Sequence, residues 1–74
     1  MKVSIEYCSM WNYLPQASSL EAQLKKEFKN IDITLISSGG GVFEVMFGEK
    51  IVFSKKLLKR FPNDGEIITL INGL

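Results

Sequence analysis

Apolar and polar residues alternate in "KVSIEY": Val3, Ile5 and Tyr7 fall on one face, and Lys2, Ser4 and Glu6 on the other. A period of two belongs to a strand buried on one side, so a first strand is predicted here. From Asn12 to about Lys29 the spacing lengthens, with Leu14, Ala17, Leu20, Leu24 and Phe28 recurring at three- and four-residue steps among Glu21, Lys25, Lys26 and Glu27. That spacing predicts an amphipathic helix. Pro15 suits its first turn, where N–H groups have no helical acceptor.

"NIDITLIS" alternates again, with Ile31, Ile33 and Leu35 opposite Asp32, Thr34 and Ile36. After the break at "SSGGG", the segments "VFEVMF" and "KIVFS" flank "GEK" as a predicted hairpin, whose inner residues are Phe43, Val45, Phe47, Ile51 and Phe53. "LLKRFP" reads as a connector with a rigid Phe61-Pro62 step. Asn63 and Glu66 then have capping-box spacing, and Ile67, Leu70, Ile71 and Leu74 form a helical stripe that stops near Gly73.

The order βαβββα places the chain in the α/β class, as an α+β two-layer domain spanning residues 1–74. Strands joined by a helix pair in parallel with a right-handed crossover, so a hairpin beside the first strand completes a four-stranded mixed sheet. Two helices cover one face. On the open face Lys2, Ser4, Glu6, Asp32, Thr34 and Glu44 are polar. Ile36, Val42, Met46 and Val52 interrupt them, as a candidate patch for a partner or for self-association.

Composition narrows the function classes. With 46% apolar and 23% charged residues in 74, a folded domain with an economical core is expected. Nine basic and eight acidic residues give a net charge of +1, so no global field draws the chain to nucleic acid or to an anionic membrane. No apolar run approaches the ~20 residues of a membrane span and no signal-like start is present, so a cytoplasmic location is expected. The single cysteine excludes an internal disulfide. The absence of histidine argues against a zinc site or a Cys-His nucleophile pair, and neither a metal nor a tightly bound cofactor is expected.

Cys8 is the chemical candidate because it lies between the first strand and the first helix. In the predicted topology Gly39, Gly40, Gly41, Ser54 and Lys55 reach the same sheet edge. A thiol reacts as its thiolate, which helix N–H groups and a nearby lysine favour, so the sulfur is expected to lie uncovered at that edge. The glycine turn lacks "GK[ST]" and precedes a strand, so it does not read as a phosphate loop; it leaves room for a peptide or glutathione beside Cys8. Tyr7 and Tyr13 flank the motif and are candidate walls of the site. Lys55, Lys56, Lys59 and Arg60 form a basic run, either a solvated connector or a hold for an anionic partner.

"YCSMWNYLP", "SGGGVFEVMFGEKIVFSKK" and "RFPNDGEI", taken in order, resemble the selenoprotein W-like family, small thioredoxin-like proteins grouped with selenoproteins T and H. The resemblance covers nearly the whole chain. It implies a thioredoxin-like fold and a C-x-x-C or C-x-x-selenocysteine motif, in which Cys8 matches the first position and Trp11 falls on the second. The selenocysteine codon UGA and the tryptophan codon UGG differ by one base, so Trp11 is either a replaced or misread selenocysteine or a natural residue. The resemblance further implies a thiol or selenol redox protein, a thiol-disulfide oxidoreductase or a glutathione-dependent antioxidant. Its expected partners are protein thiols, with glutathione as co-substrate. The alternative is a redox-inactive protein-binding module on the same fold.

Overall fold

The computed structural model describes residues 1–74, and its order is β1 (Lys2–Cys8), α1 (Leu14–Glu27), β2 (Asp32–Ser38), β3 (Phe43–Phe47), β4 (Lys50–Ser54), α2 (Lys55–Leu58) and α3 (Glu66–Asn72). The four strands form one mixed sheet in the order β2-β1-β3-β4. β1 runs parallel to β2, with Ile5 beside Leu35 and Cys8 beside Ser38. On its other side β1 meets β3 antiparallel, with Ile5 opposite Val45. The hairpin therefore docks where the sequence pattern placed it.

The core lies between the sheet and the helices. Val3, Ile5, Phe43, Val45 and Phe53 from the sheet pack with Ala17, Leu20 and Leu24 of α1 and with Ile67 and Ile71 of α3. Burying each large apolar side chain contributes about 1.5–3 kcal/mol, so these few residues supply most of the hydrophobic driving force. Pro15 stands in the first turn of α1, as expected. Leu14 is more exposed than its place in the stripe implied, because it opens the helix beyond the edge of the core.

Three expectations need correction. Ile51 is 63% exposed although the alternation placed it inside. Strand pairing explains this: Val45 faces Phe53 while Met46 faces Ile51, so a bulge inserts Val52 and reverses the alternation beyond it. Val52 then packs partly against the core, and Ile51 takes the open-face place expected of Val52. In α3, Ile67 and Ile71 are buried, whereas Leu70 and Leu74 lie outside, since a helix of two turns touches the sheet with a narrow stripe.

The third correction adds a helix to the two expected. "KKLL" forms the single turn α2 directly after β4. Ser54 Oγ accepts the Leu57 N–H at 3.2 Å and donates to Glu44 Oε1, whose partner oxygen accepts the Lys56 N–H at 3.4 Å. Glu44 and Ser54 are paired across β3 and β4, so the sheet register creates this cap. Farther on, Glu66 accepts the Asn63 N–H at 2.8 Å, which is one half of the predicted capping box. It also receives a two-pronged contact from Arg60 at 2.7 and 2.8 Å.

Candidate functional site

The site forms at the end of β1. The Cys8 N–H donates to the Val42 carbonyl at 2.9 Å, tying the strand end to the residue after the glycine turn. Beyond Cys8 the chain folds back. The Asn12 N–H reaches the Ser9 carbonyl at 3.1 Å, the Tyr13 N–H reaches the Cys8 carbonyl at 2.9 Å, and Asn12 adopts a φ of 59° to close the turn. Within this loop the Trp11 N–H points at Cys8 Sγ, 3.4 Å away.

Cys8 is fully buried, which corrects the expectation of an uncovered sulfur. Its burial differs in kind from that of the core. Cys8 shares the strand parity of Ser4 and Glu6, and it lies outside the contiguous cluster formed by Val3, Ile5 and their neighbours. The contact given to its sulfur comes from its own loop, through the Trp11 amide. Helix α1 begins only at Leu14, so a loop amide, rather than an amide of the helix, is hydrogen-bonded to the sulfur.

Trp11 occupies the second motif position with 63% of its surface exposed. Its indole rests on Gly41, where a Cβ would lie 2.8 Å from Cε3 and would collide with the ring. Gly41 also has a φ of 72°, so both its conformation and its lack of a side chain are needed there. The edge of the indole meets Tyr13, with ring centroids 6.2 Å apart, and Tyr13 in turn packs edge-on to Phe61 at 4.7 Å.

A surface cleft of about 450 Å³ opens beside this aromatic row. Trp11, Gly40, Gly41 and Val42 form one side, and Lys55, Lys56 and Lys59 line the other. The Lys55 ammonium sits 5.4 Å from the centroids of both Tyr13 and Phe61, a cation–π position. Of the residues singled out from the sequence, Trp11, Gly40, Gly41 and Lys55 thus share one cleft. Gly39 stands in open space outside it, and Ser54 is turned inward as the cap of α2. Tyr7 leans on the core and does not line the cleft.

Sequence reasoning missed Glu44 and Phe61 as parts of this region. Glu44 read as an open-face polar residue, and only the Glu44–Ser54 strand pair turns it into the anchor of α2. Lys59 enters the cleft because it ends α2 with a φ of 62°, which nothing in "LLKRFP" signals. The described structure contains no cluster of three or more Cys, His, Asp or Glu residues suited to a metal. No helix is long and apolar enough to cross a membrane.

The fold recurs in solved structures. A crystal structure of a Bordetella parapertussis protein superposes with a TM-score of 0.92 at 19% identity, covering 97% of this chain and 94% of that one. A selenoprotein W-related protein from Vibrio cholerae matches with a TM-score of 0.91 at 22% identity, over 97% of this chain and 92% of its own. No curated protein sequence matches the chain. The Rdx family model matches residues 2–73. With nearly every residue inside that match and the strand, turn and Cys8 motifs in their expected order, the chain belongs to the Rdx family, the selenoprotein W-like group that its sequence resembles.

Proposed function

We propose that the chain is a thioredoxin-like redox protein that, with Trp11 in the second position, works through a single thiol. The observation that carries this reading is the Trp11 N–H held 3.4 Å from Cys8 Sγ. An amide aimed at sulfur supports it through the negative charge that builds and disperses during exchange. The Cys8 thiolate attacks one sulfur of oxidised glutathione. A Cys8–glutathione disulfide forms, the S–S bond of the oxidant breaks, and one glutathione thiolate leaves with the electron pair. No thiol at position 11 can attack that adduct, so a second, external thiol must reduce it.

Because Cys8 is closed off, exchange requires the 9–12 loop to open. Local openings of this kind lie well below global unfolding in free energy. A free thiol of this kind suits a reducing compartment, which favours the cytoplasm. Mass spectrometry tests the proposal: native protein incubated with oxidised glutathione gains one glutathione, mapped to Cys8. A chain that stays unmodified when native, yet reacts when unfolded in denaturant, would overturn it. Determining the codon for residue 11 decides whether selenocysteine originally stood there; a UGG codon in the source genome removes that idea.

A second reading, a protein-binding module with an idle thiol, draws on the exposure of Trp11, since aromatic side chains often anchor interfaces. Cys8→Ser separates the two: partner capture and redox protection both unchanged by the substitution favour the binding module.

A further inference from the structure

The cleft beside Trp11 gathers lysines that form no ion pair, although the Glu44 carboxylate lies close by, accepting from Ser54 and from the Lys56 backbone. Lys55, Lys56 and Lys59 line it, while the ion pairs of the molecule are Lys25–Glu21 and Arg60–Glu66, both elsewhere. No carboxylate lines the cleft. In the same lining, Gly40 and Gly41 both have positive φ, so the chain there carries no side chain into the cleft. Three lysines and two glycines in the left-handed conformation therefore line the same space, next to an indole that is mostly exposed.

The rest of the surface limits what can enter. The six remaining basic residues are outnumbered by eight acidic ones, so the molecule beyond the cleft repels an extended polyanion such as a nucleic acid. A short anion meets no such barrier. Lysine ammoniums are compact point charges that suit separate carboxylates, and the flat indole offers an apolar side chain a wall that a free phosphate would not use. We propose that this cleft is a docking site for a short acidic peptide segment of a partner protein. The site needs no reactive Cys8 and stands apart from the exchange chemistry.

Trp11 is the sole tryptophan, so its fluorescence reports directly on the cleft. In the Cys8→Ser variant, titration with a blocked peptide of alternating glutamate and leucine gives a saturable change in emission. Binding weakens at least about tenfold on raising salt from about 0.05 to about 0.5 M, as the screening length shortens. It weakens at least about tenfold in the Lys55→Gln, Lys56→Gln, Lys59→Gln triple variant, but not in Lys25→Gln, Lys26→Gln on α1. The glutamine counterpart of the peptide gives no response, which tests the charge requirement without altering the protein. An absent response to the acidic peptide, an equal response from its glutamine counterpart, unchanged affinity in the triple variant, or an equal response to inorganic phosphate alone would each overturn the proposal. Because the thiol is already absent, failure here leaves the glutathione experiment on native protein untouched.

Discussion

Ile5 and Cys8 lie three residues apart on β1, and neither exposes any surface, yet they are buried by different means. Ile5 sits in the cluster built from the sheet, α1 and α3, so side chains distant in sequence enclose it. Cys8 lies outside that cluster, its backbone N–H is tied to Val42 beyond the glycine turn, and its sulfur accepts from the Trp11 amide of its own following loop. The first kind of burial can be undone only with the fold. On the proposed chemistry the second is undone by moving a few residues, so that one strand would carry both a structural residue and a reactive one.

Ile5→Ala probes the rigid end of this comparison and carries the largest expected effect. Removing a fully buried aliphatic side chain costs about 2–5 kcal/mol, read from urea unfolding. A loss under about 1 kcal/mol would show that the core does not depend on β1 as described.

Trp11→Ala probes the local end. The loop keeps its backbone but loses the ring that rests on Gly41, so alkylation of Cys8 in the native protein speeds up on the order of tenfold, equivalent to about 1.4 kcal/mol of local opening. The thermal midpoint by circular dichroism stays near that of the parent. Faster labelling accompanied by an equal loss of global stability would show that the two regions form one cooperative unit.

Gly41→Ala and Gly40→Ala isolate the part played by the indole, because the two glycines share a φ near 70° but differ in surroundings. Each substitution costs about 1–2 kcal/mol of backbone strain. Only at Gly41 does the new methyl group strike the indole, so only there should tryptophan emission shift and Cys8 labelling rise. Equal labelling in both variants would separate the indole from the protection of the thiol.

The smallest effect is expected at the polar corner between the α2–α3 connection and α3. The Arg60 hydrogen bonds, helped by the Asn63 N–H, pull the Glu66 carboxyl down to about 2 from an ordinary value of 4.5. A carboxyl that is more acidic when folded adds stability above its unfolded value and loses that contribution as pH falls through its folded value. Parent stability should therefore decline from about pH 4.5 toward 2 in part through this group, and Glu66→Gln should flatten that portion of the curve, measured by thermal melts across the window. Identical acid profiles would remove the corner from the account.

Much of the architecture can be read from local periodicity. The alternation of Val3 and Ile5 and the three- and four-residue steps of Ala17, Leu20 and Leu24 locate the buried faces correctly. The crossover logic also places the hairpin beside β1. Errors appear where one element is adjusted by another. Ile51 and Val52 exchange faces because β4 bulges against β3, and the bulge leaves no mark in "KIVFS". The turn α2 exists because Ser54 is held by Glu44, ten positions earlier, so "KKLL" alone gives no sign of it.

The candidate site divides the same way. Sequence alone determined that a lone thiol stands between a strand and a helix, that tryptophan takes the position three residues on, and that a glycine turn and a lysine run belong to the same sheet edge. Residue type and period decide such features, because strands and helices impose their spacing on whatever chain forms them. Tertiary structure alone decided that the sulfur is covered, that the indole lies across Gly41, and that Ser54 faces inward while Lys59 joins the cleft. Those outcomes depend on segments as far apart in sequence as Trp11 and Lys59, and no local pattern of apolar and polar positions encodes which distant segments will share an edge.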